Sequence, residues 1–65
     1  MRNRVEELRK EHGMTQQAMG NALGVSRQTV ISLESGKYNP SLGLAHAIAK
    51  LFDLAIEDVF IFEED

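Results

Sequence analysis

Arg27, Gln28, Ile31 and Ser32 are the side chains of this sequence whose types and spacing suit a particular chemistry. At about 100° per residue they share one helical arc of roughly 140°, with Thr29, Val30 and Leu33 on the opposite side. Arginine can bond guanine through two donors, glutamine can do the same for adenine, serine can meet either, and an apolar group can touch a thymine methyl. The arc therefore suits the edges of base pairs. A single solvated isoleucine is unremarkable by itself, but on a reading surface Ile31 becomes a thymine-methyl contact.

Such an arc is useful only if something holds it outward. Gly20 lies inside the helical pattern that begins at Thr15, where it costs about 1 kcal/mol relative to alanine. Its lack of a side chain lets a following helix approach closely. Gly24 makes the sharp turn four residues on, and Val30 plugs the angle between the helices. This is the logic of a helix-turn-helix. The same glycine turn and plug would serve any pair of helices, and the outer face of the second one sets this pair apart.

The remaining chain reads as further short helices. Asn3 is expected to cap a first helix, with Glu6 completing a capping box, Val5 and Leu8 facing inward and Gly13 as the stop. Thr15 caps the second, which turns Met19, Ala22 and Leu23 inward, and Ser26 caps the third, which runs to about Ser35 before Gly36. Tyr38-Asn39-Pro40 forms a loop, because the residue before proline leaves the helical region. Ser41 caps a fourth helix over Leu42 to Phe52, the most apolar, with Leu42, Ala45, Ile48, Ala49 and Phe52 along one face. A fifth follows from about Ile56 to Phe60, with Glu57 and Asp58 favoured in its first turn by the helix dipole. Ile61-Phe62-Glu63 reads as a brief extended segment. The expected fold is all-α, a compact five-helix domain over residues 1–65.

Composition narrows the function. Sixty-five residues, 43% of them apolar, leave no room for a separate ligand-sensing module, so no small-molecule effector is expected. With no cysteine, and with His12 and His46 far apart and read as solvated helix residues, no metal or cofactor is expected. No nucleophile–base pair suggests an enzyme. No stretch approaches the roughly 20 apolar residues of a membrane span, and no signal segment follows the first residues, so a cytoplasmic location is expected. The net charge of −3 hides an asymmetry. Residues 1–40 carry six bases (Arg2, Arg4, Arg9, Lys10, Arg27, Lys37) against four acids, a net of +2. Residues 41–65 carry Lys50 against six acids, a net of −5. One end could face an anionic polymer, although an acidic tail, here Glu63-Glu64-Asp65, also serves solubility alone.

Thr15-Gln16, Gly24-Val25-Ser26-Arg27-Gln28-Thr29-Val30, Leu33-Glu34, Gly36 through Leu42 and Glu57-Asp58-Val59-Phe60 together resemble the Cro and phage-repressor class of helix-turn-helix regulators. Within it the chain is similar to the short, single-domain regulators of the XRE family, including small cytolysin-repressor-like proteins. The resemblance implies a lambda-repressor-like DNA-binding domain, with its helix-turn-helix at about residues 15–35. It implies that Arg27 and Gln28 are the principal base readers, with Ile31 between flanking Thr29 and Ser32. Thr29, towards the inner edge, could instead pack or bond a phosphate. Gln16 and Gln17 would contact phosphate, as would Lys37, Asn39 and the amides ahead of the fourth helix. Arg9 and Glu34 match a family pair that forms an internal salt bridge, so Arg9 is not expected on DNA.

The chain departs from the family pattern at Met19-Gly20, Gly43, Asp53 and Ala55. These changes bear on stability rather than on the DNA-facing positions. A single reading helix gives too little discrimination for one genomic site, whereas two copies on a two-fold axis place two such helices in successive major grooves of a palindromic operator. Leu54, Val59, Phe60, Ile61 and Phe62, in a segment at about 54–62, are the expected homodimer contact, with ordinary monomer core as the other reading of Phe60 and Phe62. The expected function is sequence-specific binding of double-stranded DNA by a homodimeric transcriptional regulator acting as a repressor. An antitoxin-like protein-interaction module with secondary DNA binding is the alternative.

Overall fold

A computed structural model describes residues 2–62, and the acidic tail and the end of the expected extended segment lie outside them. Five helices follow one another: α1 (Val5–Glu11), α2 (Gln16–Leu23), α3 (Arg27–Glu34), α4 (Leu42–Leu51) and α5 (Ile56–Val59). Three begin as their sequence signals require. Thr15, Ser26 and Ser41 hold extended backbone and accept hydrogen bonds from the amides of Ala18, Thr29 and Leu44 at 3.0, 3.1 and 3.1 Å. Each bond satisfies one of the donors that a helix start leaves open.

The first and last helices start differently. Arg4, not Asn3, precedes α1, with no side-chain cap. Asn3 Oδ1 still accepts from the Val5 amide at 3.0 Å, but its backbone is extended and forms an isolated antiparallel bridge with Phe60. Flanking bonds from Arg4 N to Val59 O (2.8 Å) and from Ile61 N to Arg2 O (2.9 Å) complete a short seam between the two ends of the described chain. At α5, Ala55 has no side chain to offer, and the Asp58 carboxylate accepts from the Ala55 amide at 3.1 Å instead. Half of a capping box thus suffices.

Val5, Leu8, Met19, Val30, Leu33, Ala45, Ile48, Ala49, Phe52, Val59 and Phe60 form one core drawn from every helix. The apolar face of α4 is narrower than its sequence suggests. Leu42, expected inside, is 79% exposed, because the groove it borders with Ala45, Phe60 and Phe62 is not filled by another element of the described residues. Ala22 on α2 is likewise exposed. His12 is not simply solvated: its Nδ1 lies 2.9 Å from the Leu8 carbonyl and its ring packs on Phe52 with centroids 4.9 Å apart.

Val59 and Phe60, expected at a subunit contact, are 0% and 1% exposed within the single chain. The seam turns them inward over the core, where they pack within the single chain. Leu54, Ile61 and Phe62 remain at the surface.

Candidate nucleic-acid interface

The α2–turn–α3 unit is assembled by backbone proximity. Gly24 closes α2 with φ +73°, a left-handed conformation that suits glycine, and the Val25 amide reaches back to the Gly20 carbonyl at 2.9 Å. Gly20 has a separate reason for its identity. A Cβ placed there would lie 2.8 Å from the Val25 carbonyl oxygen and 3.4 Å from the Ser26 carbonyl carbon. The chain entering α3 therefore rests directly on the backbone of α2. Val30 and Leu33, fully buried, fasten the inner side of α3, each burial contributing about 1.5–3 kcal/mol.

The far end of α3 is held by charge. Arg9 Nε donates to Glu34 Oε2 at 2.6 Å and Nη2 to Oε1 at 3.3 Å, while Nη1 donates to the Met14 carbonyl at 2.8 Å. The hydrogen bond to Glu34 raises the arginine's pKa above its ordinary value, outweighing the opposing effect of burial. Gln16 Nε2 adds a third donor to this carboxylate, 3.1 Å from Oε1. One acidic side chain at the end of α3 thus binds α1 and the start of α2.

With its inner side packed and both ends held, α3 leaves Arg27 and Gln28 exposed to solvent. Among the described residues neither side chain takes part in a hydrogen bond or ion pair. Ile31 and Ser32 are half-buried at the edge of the same face, less open than the helical wheel implies. Thr29 is half-buried too, and its hydroxyl lies 3.0 Å from that of Ser26, within the cap. Lys37 and Asn39 are exposed on the loop that leads to α4. Gln17 is exposed at the start of α2, with Nε2 donating to Asn21 Oδ1 at 3.1 Å. Gln16, expected at a phosphate, has its amide nitrogen engaged by Glu34.

Sequence reasoning missed one contact at this site. Asn3 Nδ2 donates to the Leu33 carbonyl at 2.8 Å, linking residues 30 positions apart. The only local signal was a polar residue ahead of α1, which reads as a cap and carries no information about a distant carbonyl. Among the described residues no helix is long and apolar enough to cross a membrane.

A family model described as Helix-turn-helix matches residues 5–59. An uncharacterised HTH-type transcriptional regulator of Methanocaldococcus jannaschii is 52% identical over 65 residues, covering the whole of this chain and 98% of that protein. One from Bacillus subtilis is 49% identical, with the same two coverages. The cryptic phage CTXphi transcriptional repressor of Vibrio cholerae is 26% identical over 57 residues, covering 88% of this chain and 51% of that repressor. These matches run over nearly the whole chain, and it belongs to the XRE-type helix-turn-helix family of transcriptional regulators.

Proposed function

We propose that the protein binds double-stranded DNA sequence-specifically as a homodimer on a palindromic operator and acts as a repressor. The observation that carries this reading is the contrast across α3: Val30 and Leu33 are sealed in the core while Arg27 and Gln28 stand exposed on the opposite side. Both are residue types that form two bonds to a single base. Exposed Lys37 and Asn39 on the following loop supply phosphate contacts, which position a protein without reading sequence. Gln17 serves the same role from α2.

A second copy supports the reading in two ways. Two helices give the discrimination that one lacks, and the surface offers an uncharged place for contact. Pro40, Leu42, Ala45, Ile56, Phe60 and Phe62 line an apolar groove of about 250 Å³, with Leu42 and Phe62 on its exposed rim. Two chains of net charge −3 repel one another, so an uncharged contact surface is the favourable one. The name of the Vibrio cholerae phage protein supports repression, which follows physically when a bound dimer occupies polymerase's site.

Selection from a pool of random duplexes, followed by footprinting, tests the proposal. The expected product is a palindrome whose half-sites lie about one helical turn apart, and transcription from a promoter carrying it falls as protein is added. Enrichment of no sequence, or of a single half-site bound by one chain, overturns it.

A further inference from the structure

We propose that Asn3 is a positioning residue for DNA reading, which sets the C-terminal end of α3 and thereby the specificity of the reading face. This rests on the DNA-binding proposal above. The Asn3 side chain faces two elements at once. Oδ1 accepts from the first amide of α1 at 3.0 Å, and Nδ2 donates to the Leu33 carbonyl, near the end of α3, at 2.8 Å. Its own backbone is clamped in the seam, opposite Phe60 and between the bonds that join Arg4 to Val59 and Ile61 to Arg2. Three segments distant in sequence therefore meet at one half-buried amide.

The placement matters because base reading is geometrically strict. Bonds made in pairs to a base edge need the side chain held to within about 0.5 Å. The N-terminal end of α3 is fixed by the Gly24 turn and the Ser26 cap, and its inner side by Val30 and Leu33. The Glu34 carboxylate holds the last turn through side chains alone. Asn3 grips the backbone itself, from a residue whose main chain cannot move without opening the seam. Losing that grip leaves the last turn of α3 held by side chains alone, so Ile31 and Ser32, next to Leu33, shift against the bases while Arg27 and Gln28 keep their place at the fixed start.

Asn3→Ala removes both bonds, whereas Asn3→Asp retains the acceptor for the Val5 amide and removes the donor to Leu33. Binding to the palindrome enriched by selection is compared with binding to a shuffled duplex. Circular dichroism establishes that each variant is folded at the working temperature, and sedimentation matches the dimer fraction. Both variants are expected to lose about five- to tenfold in affinity for the palindrome with little change on the shuffled duplex. A purely structural role would lower the denaturation midpoint and leave the ratio of the two affinities as in the parent. An unchanged ratio in a folded variant overturns the inference. Failure of the parent chain to enrich any duplex overturns the underlying DNA-binding proposal instead.

Discussion

Arg9 and Glu34 lie side-on across 25 positions of sequence, with Nε 2.6 Å from Oε2 and Nη2 3.3 Å from Oε1. Their side chains are only 10% and 5% exposed. The pair is a joint between α1 and α3, and each partner needs the other to remain buried. Glu34→Leu is expected to destabilise the fold by about 3 kcal/mol, because it strands the guanidinium. Adding Arg9→Met to that variant restores part of the loss. Urea denaturation of both single variants and the double variant measures this, and strict additivity of the two losses contradicts it.

Two glycines inside helices separate close contact from open space. Alanine at position 20 gains helix propensity but presses a methyl group to 2.8 Å from the Val25 carbonyl. Gly20→Ala should therefore destabilise the protein by about 1–3 kcal/mol. A methyl group at Gly43 would meet nothing within 4 Å. Gly43→Ala should stabilise by about 0.5 kcal/mol, as thermal unfolding of the two variants would show.

Ala55 has the extended backbone of a cap, φ −83° and ψ 159°, without an oxygen to do the capping. Ala55→Ser supplies one. A gain of about 0.5–1 kcal/mol in urea denaturation is expected, and no gain would mean that the Ala55 carbonyl, which accepts from the Asp58 amide at 3.0 Å, already satisfies the donor the hydroxyl would meet.

The proposed division between reading and gripping predicts two different losses on DNA. Arg27→Ala should cost about 1–3 kcal/mol at one base position of each half-site and relax the choice there. Lys37→Ala should weaken all sequences alike and flatten the salt dependence. Binding isotherms at several salt concentrations distinguish them. Equal losses on specific and random duplexes for Arg27→Ala would remove it from the reading face.

Phe62, 62% exposed on the rim of the apolar groove, is the proposed residue at which to break the dimer. Phe62→Asp is expected to leave helical content unchanged while shifting sedimentation to a single chain. An unaltered dimer would place the contact elsewhere.

The local grammar of the fold was legible because it is written in single residues. Thr15, Ser26 and Ser41 cap where a hydroxyl precedes an apolar repeat, and Gly24 turns where a left-handed residue ends one. Gly20 signalled a close approach, although the neighbour proves to be the turn's backbone as well as a facing helix. Long-range geometry was less legible. Asn3 looks like a cap from its neighbours, and only the folded chain brings it to Leu33 and Phe60. Leu42 fits the apolar stripe of α4 by period, but a stripe does not show where the opposing layer stops. Val59 and Phe60 read equally as apolar surplus near the end of the sequence, because nothing local shows that Asn3 pairs with that stretch. The seam folds them into the core.

That seam also bears on how the molecule reaches its final form. Hairpins of neighbouring helices join nearby residues, whereas pairing Arg2 with Ile61 closes nearly the whole described chain into one loop, the kind of non-local contact that slows folding. The entropy lost in closing so long a loop grows only as the logarithm of its length, so the delay is kinetic far more than energetic. Joining the two ends nearer to one another in sequence, as a circular permutation through a helix connection would, should therefore speed folding more than it changes stability.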